Sequence, residues 1–132
     1  MAGLSLGPLP ANGGQWHNTL TWDALNESGS VVVKSRYTED GPRDRVNQKF
    51  ALAVASAPAG SSLMVQLNGV DLMPIQTDDH GRAVVTFTSH SPRGGDGRPP
   101  SGRRIEEGDV VRVYSPALGV DVSASYWFYY DE

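Results

Sequence analysis

Ser62–Ser89, SLMVQLNGVDLMPIQTDDHGRAVVTFTS, is the stretch whose reading decides the fold. Leu63, Val65 and Leu67 alternate with polar or soft positions, which puts them on one face of a strand. Asn68-Gly69 follows, a pair that tolerates positive φ at both centres of a type I′ turn. A second strand then runs from Val70 to Gln76. Thr77-Asp78-Asp79-His80-Gly81 predicts a second reversal, with Asp side chains bonding nearby N–H groups and Gly free to turn left-handed. Val85 and Phe87 resume the alternation. Local chemistry therefore predicts three strands and two hairpin corners.

Working outward, Trp16–Leu25 predicts a first strand with Leu20, Trp22 and Ala24 on one face. Val31–Tyr37 is β-branched, with Val31, Val33 and Tyr37 opposed to Lys34 and Arg36. Thr38–Asn47, TEDGPRDRVN, reads as a solvated polar loop. In Lys49–Ala55, Phe50, Leu52 and Val54 point inward against small Ala residues. Beyond the central unit, His90–Arg104 (HSPRGGDGRPPSGRR) is built from Gly, Pro, Ser and Arg and predicts a long loop without strand or helix. Val110–Tyr114 is a further strand. Val120–Tyr130 is the longest alternating run, with Val122, Ala124, Tyr126, Phe128 and Tyr130 on the inner side and Trp127 and Tyr129 on the other.

Short strands at this spacing, with no amphipathic helix, predict one antiparallel all-β sandwich of about seven or eight strands, immunoglobulin-like or jelly-roll-like. The 132 residues suit a flexible arm over 1–15 and a single domain over 16–132. The apolar share of 39% reaches the usual ~45–50% once the 15 Gly are added, so the composition is that of a folded chain. There is no Cys, which removes disulfides, thiolate metal sites and thiol nucleophiles. The start has no basic n-region followed by an apolar run, and no stretch approaches the ~18 apolar residues of a spanning helix. Cytoplasmic or particle-associated placement is favoured over secretion, and membrane insertion is not expected.

LMVQLNGVDLMPIQTDDHGRAVVTF, followed after a loop by EEGDVVRV, resembles bacterial immunoglobulin-like and prealbumin-like accessory domains. The likeness spans Lys49–Val113, about half of the chain. It implies a non-catalytic module for adhesion, spacing or assembly, and it carries no functional residues with it. The Arg-rich loop and the aromatic terminus depart from that pattern.

Motifs for catalysis are thin. Only His17, His80 and His90 could serve as a base, and Gly3-Leu4-Ser5-Leu6-Gly7 lacks the strand-to-helix setting of a nucleophile elbow. Asp78-Asp79-His80 and Glu106-Glu107-Gly108-Asp109 lack the spaced oxygens of a hard-cation site. The expectation is no enzyme and no cofactor.

Two features suit partner binding. Arg93, Arg98, Arg103 and Arg104 concentrate guanidinium groups on one loop, a form that recognises oxyanions or an acidic partner. The net charge of −4, and the absence of aromatics between these arginines, argue against nucleic acid. Trp127 and Tyr129 would anchor a protein contact or stack on a sugar. The leading expectation is a structural or assembly protein, such as a decorating or coat subunit, forming a homo-oligomer or a larger assembly. The alternative is a carbohydrate-binding module.

Overall fold

The computed structural model describes residues 19–100 and 104–129. The arm expected over 1–15, together with Trp16, Arg103 and Tyr130, lies outside the described residues. Among the described residues nine strands follow in order: β1 (Leu20–Asn26), β2 (Val32–Asp40), β3 (Arg45–Ala55), β4 (Ser62–Leu67), β5 (Val70–Gln76), β6 (Ala83–Pro92), β7 (Val110–Ser115), β8 (Val120–Ser125) and β9 (Trp127–Tyr129). A 3-10 turn, Pro116–Leu118, joins β7 to β8. They form two antiparallel sheets, β6-β3-β2-β1-β9 and β5-β4-β7-β8, packed as the expected sandwich.

Alternation explains the core. Trp22 and Ala24 of β1, Val33 and Tyr37 of β2, and Leu52 and Val54 of β3 meet Leu63, Val65, Val111, Val113 and Ala124 of the second sheet. Val33, Val111 and Val113 are fully buried. Removing one such side chain, as in Leu52→Ala, leaves a cavity that typically costs about 2–5 kcal/mol.

The first corner of the central stretch is the hairpin its residues predict. Asn68 and Gly69 have φ of 51° and 83°, and Leu67 pairs with Val70. The Asn68 side chain also accepts a hydrogen bond from the Val110 N–H at 2.9 Å, tying the turn to β7.

The second corner is not a hairpin. β6 leaves β5 for the other sheet and pairs with β3 from Val54–Ala83 to Arg45–Pro92. Two crossovers therefore run side by side, 56–61 and 77–82. They are joined by Ala57 N–H to Gly81 O (3.1 Å), Gly60 N–H to Asp78 O (2.9 Å) and Thr77 N–H to Ser61 O (2.8 Å). Asp78 Oδ1 accepts the His80 and Arg82 N–H groups, and these bonds hold its carboxyl below the usual range. A Cβ on Gly81, whose φ is +76°, would stand 2.0 Å from the Ala57 carbonyl oxygen, so the close approach of the two crossovers demands glycine there.

Four other expectations need correction. The loop expected over Thr38–Asn47 shrinks to four residues, because β2 runs to Asp40 and β3 starts at Arg45; Glu39 is only 2% exposed. The loop expected from His90 begins later, since β6 carries on through Pro92 against β3. The run Val120–Tyr130 breaks at Tyr126, where the chain changes sheet: β8 pairs with β7, and β9 with β1. Tyr126 is the pivot, with Gly108 N–H donating to its carbonyl and its own N–H donating to Asp109 O, both at 2.8 Å. Its hydroxyl lies 2.6 Å from Ser35 Oγ, and burial pushes its pKa up to about 12. Phe128, expected inside, is 37% exposed because β9 is a sheet edge; it retains an edge-on contact with Trp22 at 5.2 Å.

Candidate functional site

The arginines of the long loop reach back into their own chain. Arg93 donates to the carbonyls of Gly41 (2.9 Å), Pro42 (2.8 Å) and Gly97, pinning the loop to the β2–β3 turn. Arg98 grips Glu39 with two bonds, at 2.9 and 3.0 Å, donates to Ile105 O, and lies over the Trp22 ring at 4.4 Å. Glu39 in turn accepts from the Tyr37 hydroxyl, Tyr37 accepts from Gln48, and Ser91 donates to Gln48. Burial, and then the bond to Glu39, hold the Tyr37 hydroxyl protonated far into the alkaline range. Arg104 pairs with Asp96 at 2.6 Å and with Glu106 at 2.8 Å, and the first of these bonds holds the Asp96 carboxyl low. These three guanidinium groups thus build the loop and clamp it over one end of the sandwich.

Trp127 and Tyr129 sit elsewhere, on the outer face of the five-stranded sheet, 43% and 41% exposed. Strand register builds the face in rows. One row reads Trp127, Asp23, Arg36, Ala51, Thr86, and the next reads Leu25, Lys34, Ala53, Val84. Ala51 and Ala53 are short while their cross-strand neighbours are long, so a trough of about 510 Å³ opens above β3, extending past Leu25 to Trp127. Arg36 holds Asp23 with bonds of 2.7 and 2.9 Å and lies 5.8 Å from the Tyr129 ring. By strand parity this face carries Lys34, Arg36, Arg45 and Lys49 against Asp23 and Asp40, a basic excess on an acidic chain.

A second concavity, about 350 Å³, lies on the side where the edge strands β5 and β6 part. Phe50, Phe87, Leu67, Leu72, Met73 and Ile105 line it, and the Phe50 and Phe87 rings stack at 6.2 Å.

Among the described residues, no three His, Cys, Asp or Glu side chains gather as a metal site. His80 is 3.6 Å from Asp79 with both side chains exposed, the geometry of a turn surface. The structure brings Trp127 and Tyr129 onto one face and leaves Arg93, Arg98 and Arg104 together at the loop, apart from it. Sequence reading missed Leu25, Lys34, Ala51, Ala53 and Val84. Their signal was the run of alanines alternating with Phe50, Leu52 and Val54, where small residues on the outward positions of a central strand mark a hollow. No protein-family model matches the chain, and neither does any curated protein.

Proposed function

We propose that this protein is a non-catalytic assembly subunit whose contact surface is the outer face of the five-stranded sheet, and whose partner is a second copy bound head to tail. The observation that carries the reading is the exposure of Trp127, Tyr129, Leu25 and Val84 around the alanine-floored trough. Large aromatics beside Arg, on a rigid sheet, are the residues that dominate interface energetics. The basic excess of the face repels its own image but suits the exposed loop carboxylates of Asp78, Asp79 and Glu107 on another copy. A contact between unlike surfaces does not close on itself after two copies, so it builds a ring or an open array. A role in assembly also agrees with the likeness to accessory modules. The test is light scattering of the full chain over a concentration series at low salt. The average mass should climb above the monomer, fall back with added salt, and stay monomeric in Trp127→Ala; a wild-type monomer at every concentration contradicts the reading.

Carbohydrate binding is the second reading. It is favoured by Trp127 standing directly opposite Asp23 on the row of the Asp23–Arg36 pair, so that a sugar stacked on the indole would meet charged hydrogen-bonding groups. Retention on a glycan array that disappears in Trp127→Ala supports this reading, and no retention on any glycan removes it.

A further inference from the structure

We propose that the apolar cleft between β5 and β6 is the seat of the chain's own N-terminal segment, residues 1–18, with Leu4, Leu6 and Leu9 as the side chains that fill it. This inference concerns the open side of the sandwich and does not rest on the assembly reading of the outer face.

The first support is placement. β1 enters its sheet at Leu20, which pairs with Glu39; Glu39 pairs with Gln48, and Gln48 with Ser89. Gln48 and Ser89 line the cleft. The segment therefore joins the fold on the same rung as the cleft, three strand spacings away, or about 14 Å. The covalent reach of a stretch as long as Leu9 to Leu20 is at most roughly 36 Å, ample to cover that distance.

The second support is chemistry. Residues 1–18, MAGLSLGPLPANGGQWHN, contain no Asp, Glu, Lys or Arg, in a chain that is 20% charged. Leu72 and Phe87 at the mouth of the cleft are 48% and 47% exposed, and both are large apolar side chains facing a hollow that leucines would fit. Arg104, the charged side chain lining it, is held by Asp96 and Glu106. An uncharged, leucine-bearing segment matches this lining, whereas an acidic or basic one would not.

The third support is concentration. A group joined to its site by a short linker is presented to it at roughly millimolar effective concentration. That exceeds the concentration of other copies in a micromolar solution, so the occupant is the segment of the same chain.

The chain has no cysteine, which makes the test clean: Ser5→Cys gives a single site for a nitroxide spin label in the full-length protein. Amide resonances of Leu72, Met73, Phe87 and Ser89 should lose intensity next to the label, and the loss should persist on dilution. Adding Leu4→Asp, Leu6→Asp and Leu9→Asp to the labelled chain should restore these signals without shifting those of core residues such as Val33 and Val111. Unbroadened cleft resonances would overturn the proposal, as would broadening that survives the triple Asp change. Broadening of an isotope-labelled chain by a separate spin-labelled one would also overturn it, since the occupant would then be another copy's segment.

Discussion

Arg98 and Arg36 each hold a carboxylate with both arms of the guanidinium and each lie over an aromatic ring, but in different surroundings. The Arg98 side chain is 19% exposed and its partner Glu39 2%; for Arg36 and Asp23 the figures are 57% and 18%. In the first case the pair is withdrawn from water and extended through Tyr37, Gln48 and Ser91, so each member depends on the others to satisfy its charge or its hydrogen bonds. In the second Asp23 is half-buried but the Arg36 guanidinium stands in solvent, where water can take over its hydrogen bonds and salt screens the attraction. The same residue types therefore hold a long loop to the fold in one place and decorate an open sheet face, the proposed contact surface, in the other.

The largest expected effect comes from breaking the buried pair. Arg98→Ala strands Glu39 and should destabilise the fold by about 3–5 kcal/mol in urea titration. Replacing both partners together, Arg98→Met with Glu39→Leu, should recover much of that loss, because an apolar pair of similar volume leaves no uncompensated charge. A double variant no more stable than Arg98→Ala would break the distinction between the two pairs.

Next is the tyrosine beneath the sheet. Tyr126 has its pKa raised from 10 to about 12 in the folded protein, so the fold favours the protonated hydroxyl. The stability this contributes is fully present below pH 10 and is lost as the pH rises from about 10 to about 12, a span worth roughly 2–3 kcal/mol. Tyr126→Phe should flatten this alkaline slope in thermal melts followed by circular dichroism, at the expense of the bond to Ser35. Tyr37, also held protonated, leaves some slope in the variant.

The smallest effect is expected at the exposed pair. Arg36→Ala should change stability by at most ~1 kcal/mol, and by less at high salt. A loss comparable to that of Arg98→Ala would mean that the outer face is structural.

Much of the architecture was legible because alternation and turn chemistry are local. Leu63, Val65 and Leu67 beside Asn68-Gly69 specify a hairpin wherever they occur. What stayed hidden was non-local. Thr77–Gly81 is equally good chemistry for a hairpin and for a crossover, and only the pairing of β6 with β3 decides between them. Tyr126 keeps the period of its run while the chain passes from one sheet to the other, since one residue outside the ladder need not disturb the alternation. Glu39 looked solvated because a carboxylate in a polar stretch reads as surface; its partner lies 59 residues away in the loop. For the same reason the arginines looked like a binding patch, although their acceptors, Gly41, Pro42, Glu39 and Asp96, were in view in the sequence. Trp127 and Tyr129 were legible as outward-facing, but the trough beside them needed the register of four strands.

The most direct measurement is a concentration series of NMR spectra on the full-length chain at low salt. The Ala51 and Ala53 methyl signals and the Trp127 indole N–H should shift progressively with concentration, while the Arg98 side-chain N–H and the amides around Glu39 stay in place. Shifts confined to the Arg93–Arg104 loop, or no shift at the outer face at any concentration, would contradict the proposal that this face is the working surface.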